Sequence, residues 1–261
     1  MPRNYIRNLT LGLCLALFQC CAPVLVQPPS PPLGTRKIAH IVSTIKEQER
    51  LVHTFVSSGR LMVEKNGSES ESNILIVGTR APFRIKIEVT HPWGRPLLHF
   101  LINETGLRIL SFAEKRLYHG HLGSSDLSSF FPGNLEPNQI WAIVRGYPIL
   151  RKYSRAVSLR GNQITLVNGK AETVQVIDLY TENNLPCLIS FPDQGIRVSF
   201  SGLENENHIQ YARRIRLDDP KDKTTVELKL KTMVFNDAIP KSVLELEMPP
   251  DFKMIPLQPL P

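Results

Sequence analysis

The sequence has few cysteines, and their positions exclude two kinds of site. Three of the four cysteines, Cys14, Cys20 and Cys21, lie close to the N-terminus, so Cys187 is the only one in the body of the chain. The body therefore has neither a disulfide framework nor a four-cysteine zinc site. The sequence also lacks the G-x-S-x-G, H-E-x-x-H, P-loop and G-x-G-x-x-G motifs, so no common catalytic or nucleotide-binding signature is present.

The chain has no strong excess of either charge. Of 261 residues, 42% are hydrophobic and 21% are charged, which is typical of a globular protein and excludes both disorder and a multispan membrane protein. The net charge is +7, from 31 Lys and Arg against 24 Asp and Glu. This modest basic excess favours an anionic surface as a partner and gives little support to nucleic-acid binding.

The N-terminus resembles a lipoprotein export signal. Two arginines precede an apolar run from Leu9 to Phe18, which is too short to span a bilayer and is followed by Cys20-Cys21. We predict lipidation at Cys21, with Cys20 as the alternative acceptor. An ordinary cleaved signal with incidental cysteines is the other interpretation. No acidic residue follows Cys21 closely, which favours the outer membrane and a periplasm-facing domain.

The proline content changes sharply after the leader. Five prolines occur between Pro23 and Pro32, and such a segment is extended and semi-rigid. We therefore predict a signal peptide over residues 1–20, a proline-rich tether over 21–36, a single domain over 37–255 and a short tail over 256–261. No internal repeat or second linker divides the domain.

Periodicity predicts a domain that is mainly β with a few helices. Apolar residues at helical spacing predict an amphipathic helix from Lys37 to Phe55. Alternating apolar and polar residues then predict half-buried strands, for example over 83–89, 196–201 and 226–231. Strands are also predicted at 59–64, 72–78, 97–102, 107–112, 116–121, 156–159, 163–168, 173–179, 188–191, 209–217 and 243–248.

Two helices are predicted in the middle of this β-rich region. The first is capped by Ser124-Ser125-Asp126 and continues to Phe131. The second begins near Pro137, carries Trp141 among its apolar residues, and ends at Gly146. The chain thus reads as an antiparallel meander with helices covering one face. Its interior is either a closed core or a cavity suited to acyl chains.

Few residues suggest catalysis or metal binding. His119 and His121 would share one face of a strand, which suits a metal but equally suits a solvent-exposed pair. Asp218, Asp219 and Asp222 lack the spacing of a calcium loop, and Cys187 has the apolar neighbours of a buried, unreactive thiol. We therefore expect no enzyme, no metal and no cofactor apart from an N-terminal lipid.

Four segments resemble the LolB family of outer-membrane lipoproteins, within the LolA/LolB superfamily. They are Phe55–Leu61, Phe83–Gly94, Leu107–Leu110 and Leu135–Pro148, which follow one another at the family's approximate spacing. The resemblance implies an incomplete antiparallel β-barrel whose concave apolar side is covered by helices. From this resemblance we predict an acyl-chain cavity lined by apolar side chains. They are Ile85, Ile87, Phe100, Trp141, Val198, Phe200, Leu228 and Leu230. For Trp141, core packing is the default interpretation.

The resemblance also implies a membrane-inserting loop at Pro92, Trp93 and Gly94. In the family a protruding apolar residue in this loop is needed to deliver cargo, and Trp93 occupies its place. Trp favours the membrane interface, and Arg95 is suited to lipid phosphates. The alternative is a Trp93 side chain folded back on the domain. A basic cluster of Arg145, Arg151, Lys152 and Arg155 is expected to be a solvated face, or one that meets an anionic membrane or an acidic carrier.

The resemblance implies a non-enzymatic receptor anchored by lipid in the outer membrane. It would accept acylated lipoproteins from a LolA-like periplasmic carrier and insert them into the outer-membrane lipid. Its expected partners are thus cargo, carrier and membrane, and we expect a monomer. Two alternatives remain. One is a LolB-like lipoprotein that acts as a structural or assembly component of the outer membrane or binds another amphiphile, and the other is a secreted hydrolase.

Overall fold

A single large sheet dominates the fold. The computed structural model describes residues 31–104, 106–121 and 135–257, and in these residues 14 strands form one sheet. The strands are β1 Thr54–Lys65, β2 Ser68–Arg80, β3 Phe83–Thr90, β4 Pro96–Asn103, β5 Leu107–Ser111, β6 Arg116–Gly120, β7 Arg155–Val157, β8 Gln163–Val167, β9 Thr173–Leu179, β10 Pro186–Phe191, β11 Ile196–Glu206, β12 Ile209–Asp219, β13 Thr224–Phe235 and β14 Lys253–Pro256. Their order in the sheet is β14-β6-β5-β4-β3-β2-β1-β13-β12-β11-β10-β9-β8-β7.

Pairing between distant strands holds the two halves of the chain together. β1 pairs antiparallel with β2 on one side and with β13 on the other, so the first strand joins the N-terminal and C-terminal halves. A bulge at Ser58 and Gly59 interrupts the β1–β13 register, and the Lys229 carbonyl lies so close to Gly59 that a side chain there would overlap it. The sheet remains open, with β7 and β14 at its edges. This architecture confirms the predicted incomplete antiparallel β-barrel.

Alternation along each strand separates an inner face from an outer face. In β3, for example, Phe83, Ile85, Ile87 and Val89 are buried while the residues between them are half-buried. Inward residues from most strands join one large apolar core. The period of two in the sequence therefore predicts correctly which side chains face inward.

Two α-helices pack against this sheet in the part of the chain that the structure describes. Helix α1, Thr35–Arg50, buries Ile38, Ile41, Val42 and Ile45 along one face. Its sequence predicted a helix continuing to Phe55, but the helix ends at Arg50 and Phe55 lies in β1. The prediction was wrong at this end because Phe55 points into the same core as a strand residue.

Helix α2, Pro137–Arg145, crosses the concave side and is fixed at both ends. At its start, Glu136 and Gln139 form a capping box with Pro137 in the first turn. At its end Gly146 adopts φ +78°, a left-handed conformation that favours glycine. The Gly146 carbonyl accepts a 2.7 Å hydrogen bond from the Ala212 amide of β12, which ties the helix to the sheet.

The C-terminal segment covers part of the outer face. Leu246 packs there with Leu101, Leu110 and Leu117, beside Phe112 and Phe252. The predicted strand at 243–248 was wrong: residues Lys241–Leu244 form a 3-10 helix, and the strand in this region is β14, which pairs parallel with β6. The apolar residues of the segment 243–248 alternate because they pack on a face of the sheet, and not because the segment pairs with a strand. The predicted helix at 124–131 lies outside the described residues.

Gly78 in β2 provides a test of the core packing around Phe55 and Trp141. An alanine Cβ there would overlap the ring of Phe55, which packs edge-on against Trp141 at a ring distance of 5.0 Å. We expect Gly78→Ala to lower the free energy of unfolding by about 1–3 kcal/mol. Gly169→Ala, whose Cβ meets no atom, is the control and should change it by less than about 0.5 kcal/mol. Equal urea midpoints for both variants would contradict this account of the core.

Candidate functional site

A cavity of about 420 Å³ lies between the concave face of the sheet and α2. Its walls come from β1, β2, β3, β4, β12 and β13, and Ile140, Ile143 and Val144 of α2 form its cover. Nearly all of the deeper side chains are aliphatic. They are Leu61, Val63, Ile74, Ile87, Val89, Leu97, Leu98, Phe100, Leu135, Ile215, Leu217, Val226 and Leu228.

The structure divides the predicted lining residues into two groups. Ile87, Phe100 and Leu228 line the cavity. The other predicted residues do not line it and are buried in packed core: Ile85, Trp141, Val198, Phe200 and Leu230. Val198 and Phe200 belong to β11, whose inward side chains join the packed core. Ile85 and Leu230 lie on wall strands, but one inward position beyond Ile87 and Leu228, towards the end where Phe55 and Trp141 fill the space.

Trp141 shows how the filled part is closed. Its ring packs against Phe55 at 5.0 Å and against Phe83 at 5.9 Å, and its side chain is fully buried. The guanidinium of Arg80 lies 5.4 Å from the Trp141 ring. Trp141 is therefore a core residue that supports α2, as the default interpretation of the sequence had it.

Sequence reasoning missed several lining residues, above all the polar ones at the rim. Leu61, Val63 and Ile74 were within predicted strands, and their alternation was the available signal. The rim residues carried no such signal because their relation to a cavity depends on pairing between distant hairpins. They are Lys65, Ser70, Ser72, Asp222 and Thr224.

The loop between β3 and β4 exposes a tryptophan. The His91 carbonyl accepts a 2.7 Å hydrogen bond from the Gly94 amide, and Gly94 has φ +86°. Glycine in the left-handed conformation is typical of the third position of a three-residue hairpin loop, and Trp93 is the second residue of this loop. Trp93 is 89% exposed, and its ring lies 4.6 Å from the ring of His91. The alternative in which Trp93 folds back on the domain is not what the structure shows.

The Trp93 loop and the cavity rim lie at the same end of the sheet. Antiparallel pairing places the β3–β4 loop beside the β1–β2 hairpin, because Thr90 is opposite Asn73. The β12–β13 hairpin is next, because Lys65 is opposite Thr224. We call this the rim end. The connections β2–β3, β7–β8 and β11–β12 lie at the other end, where the core is filled.

Arg145, the last residue of α2, is buried without a carboxylate partner in the described part of the chain. Its Nη2 donates a 2.9 Å hydrogen bond to the Gln48 carbonyl of α1, while its Nε and Nη1 have no partner among the described residues. Burial lowers the pKa of Arg145 to about 10, and its guanidinium lies 5.1 Å from the Tyr147 ring. Burial also raises the pKa of Tyr147 to about 12.

The predicted basic cluster after α2 is therefore divided. Arg145 is buried, and Arg151 forms ion pairs with Asp193 at 2.8 Å and with Glu136 at 3.1 Å. Only Lys152 and Arg155 of the predicted cluster are exposed. The expectation of one solvated basic face is corrected, because half of its residues fix α2 and its neighbouring segments.

The other candidate chemical groups form no metal-binding cluster in the described residues. No group of three or more His, Cys, Asp or Glu side chains there is arranged to hold a metal. Asp219 is buried and accepts a 3.0 Å hydrogen bond from the Lys221 amide within a turn. Cys187 is half-buried, and burial raises the pKa of its thiol. No helix in the described ranges combines the length and apolarity needed to cross a bilayer.

Comparison with solved structures identifies the architecture. A DUF1329 family protein from Desulfovibrio piger matches with a TM-score of 0.55 and 10% identity, over 80% of this chain and 97% of that one. A LolA superfamily protein from Nitrosomonas europaea matches with a TM-score of 0.51 and 12% identity, over 80% and 97%. The chain has a LolA-like fold.

A third structure agrees with this assignment of the LolA-like fold. A putative outer membrane lipoprotein-sorting protein domain from Vibrio parahaemolyticus matches with a TM-score of 0.51 and 12% identity, over 79% of this chain and 99% of that one. No protein-family model and no curated protein matches the sequence. At these identities the likeness concerns the fold alone.

The buried guanidinium of Arg145 leads to a stability prediction. Its charged form is disfavoured in the folded state, so we expect Arg145→Met to leave the free energy of unfolding unchanged or to raise it by up to about 3 kcal/mol at pH 7. The pKa of Arg145 is lowered on folding, so the penalty is present below pH 10 and recedes as the pH rises through about 10. Any gain in the free energy of unfolding of Arg145→Met should therefore shrink as the pH rises through about 10.

Arg80→Met is the matched control for this substitution. Arg80 forms a 2.7 Å ion pair with Glu49 and a 2.9 Å hydrogen bond with Asn138, so its removal breaks satisfied interactions between α1 and α2. We expect a loss of about 1 kcal/mol. Urea unfolding of both variants measures the comparison; a loss for Arg145→Met larger than that for Arg80→Met would show that the buried charge stabilises the fold.

Proposed function

We propose that this protein binds the acyl chains of a membrane amphiphile without catalysis and delivers them at the membrane. The apolar cavity supports this proposal: it is roofed by a separate helix and opens at the end of the sheet that carries an exposed tryptophan. Its volume of about 420 Å³ lies within the roughly 300–1,000 Å³ of ligand pockets.

The first candidate cargo is an acylated lipoprotein handed over by a LolA-like carrier, with this protein as a LolB-like receptor. The transfer would follow relative affinity: the acyl chains are held more weakly by the carrier, more strongly here, and most strongly in the bilayer. Each buried methylene contributes about 0.8 kcal/mol, so acyl chains cannot cross water unshielded at a useful rate. Lipidation at Cys21, or Cys20, would hold the receptor at the outer membrane.

The second candidate cargo is a single smaller amphiphile, and the cavity volume favours it. A space of about 420 Å³ is near the lower end of the range for single ligands. Several acyl chains would require α2 to move outward. The hydrogen bond between Gly146 and Ala212 and the ion pairs of Arg151 oppose such a movement.

Blocking the cavity tests whether it binds acyl chains. Ile143 lines the cavity from α2 and is only half-buried, so Ile143→Trp should fill the space without disturbing the packed core. In the full chain carrying Cys20→Ser and Cys21→Ser, which removes the protein's own acyl chains, we expect affinity for a fluorescent fatty acid to fall at least tenfold. Each methylene kept out of the cavity costs about 0.8 kcal/mol of binding free energy, so excluding about two methylenes accounts for a tenfold loss of affinity.

Val234→Trp is the matched control because Val234 lies on the outer face and is 40% exposed. It introduces the same side chain outside the cavity and should leave fatty-acid affinity unchanged. Equal affinity of the Ile143 and Val234 variants would show that the fatty acid binds elsewhere, and would refute the proposed site.

The exposed tryptophan provides a separate test of delivery. Trp93→Glu should leave folding intact, because the side chain is 89% exposed, yet weaken contact with the membrane. Burying such a side chain contributes about 1.5–3 kcal/mol, so we expect delivery to fall tenfold or more. The measurement is the fraction of palmitate-labelled lipoproteins that remains in the inner membrane of cells expressing each variant.

Leu159→Glu is the control for delivery. Leu159 is also strongly exposed, at 76%, but it follows β7 at the end of the sheet opposite the Trp93 loop. It should sort lipoproteins normally. If Trp93→Glu also sorts normally, the loop has no part in delivery; if both variants fail, the effect is not specific to the loop.

A further inference from the structure

The cavity changes from apolar to polar along the direction of the strands. On β2 the inward residues Ile76 and Ile74 lie deep, whereas Ser72 and Ser70 follow towards the rim end. On β1 the lining residues run from Leu61 and Val63 to Lys65 in the same direction. The cavity therefore has an apolar base beneath α2 and a polar opening.

Among the described residues, the polar side chains that line the cavity belong to two neighbouring hairpins. Lys65, Ser70 and Ser72 come from β1 and β2, and Asp222 and Thr224 come from the β12–β13 hairpin. The two hairpins adjoin, because Lys65 is paired with Thr224 and the Asn66 amide donates a 3.2 Å hydrogen bond to the Lys223 carbonyl. An amphiphile with its tail beneath α2 would place its polar head against the polar side chains of these two hairpins.

The two charged side chains at this opening remain available to a ligand. Neither Lys65 nor Asp222 forms an ion pair with another described residue, and both are exposed. Asp219, the nearest other carboxylate in the turn, is instead engaged by the Lys221 and Asp222 amides, at 3.0 and 3.3 Å. The opening thus presents one cation and one anion on adjacent hairpins, beside the lining residues Ser70, Ser72 and Thr224.

We propose that this opening recognises a zwitterionic head group, with Lys65 contacting its anionic part and Asp222 its ammonium group. The ligand class is a phospholipid-like amphiphile whose acyl chain occupies the cavity. The inference rests on the proposed acyl-chain binding and develops the second candidate cargo. The Ser72 hydroxyl adds a further polar group to this lining. The Ser70 and Thr224 hydroxyls donate to the carbonyls of Val63 and Asp222 and would serve the head group as acceptors.

Three amphiphiles with the same acyl chain test the head-group specificity. They are lysophosphatidylethanolamine, which is zwitterionic, lysophosphatidylglycerol, which is anionic, and a neutral monoacylglycerol. Binding to the full chain carrying Cys20→Ser and Cys21→Ser is measured below micelle-forming concentrations. Exposed charge pairs contribute up to about 1 kcal/mol, so we expect the zwitterion to bind about threefold to fivefold more tightly than the neutral lipid, with the difference reduced by high salt.

Two variants separate the two charges. Lys65→Gln should weaken binding of both phosphate-bearing lipids about threefold, whereas Asp222→Asn should weaken binding of the zwitterion and not of the anionic lipid. Neither should affect the monoacylglycerol. Lys221→Gln is the matched control, because Lys221 lies in the same hairpin but does not line the cavity.

The results distinguish this inference from the proposal on which it depends. Equal binding of all three lipids, unchanged by either rim variant, would overturn the head-group assignment and leave the acyl-chain cavity intact. Failure of every lipid to bind, including the neutral one, would overturn both. The pattern expected for Lys65→Gln and Asp222→Asn, with monoacylglycerol binding abolished by Ile143→Trp, would support both.

Discussion

The structure depends on an unequal filling of one concave sheet. Inward side chains of β8–β11, among them Phe191 and Phe200, pack into a continuous core. The inward side chains of β1–β4, β12 and β13 also contribute to this core, but beneath Ile140, Ile143 and Val144 of α2 they leave about 420 Å³ open. One sheet thus supplies both the packed core and the walls of the cavity, because close packing in one half supports the walls of the other.

Helix α2 connects these two halves. Trp141 faces the filled side, while Ile140, Ile143 and Val144 roof the cavity. The same short helix is therefore a core element and a cover. Its ends are held by a capping box and by a backbone hydrogen bond to β12, and its last residue is a buried arginine with unpartnered N–H groups in the described structure. Helix α2 is thus firmly attached at both ends, yet it carries a buried charged residue, Arg145, whose hydrogen-bonding capacity is only partly used by the described residues.

The polarity of the molecule follows from the order of its hairpins. Turns that carry Trp93 and the charged rim lie at one end, and the closed core lies at the other. An amphiphile held in the cavity would present its polar part at the same end as the exposed indole. Under the proposed function, binding and release of the amphiphile would therefore both occur at the end of the sheet that carries Trp93.

The sequence by itself determined the strand-rich, one-sided character of the domain, because alternation every second residue is a local property that can be read directly around residues such as Ile85 and Val198. It also indicated α2, since caps, proline and glycine act locally, whereas the protruding Trp93 loop was expected only from the family resemblance. The tertiary structure decided which inward residues remain beside open space. That outcome depends on the β1–β13 pairing and on how Trp141 fills one side, and the volume left between distant segments is not encoded in any one of them.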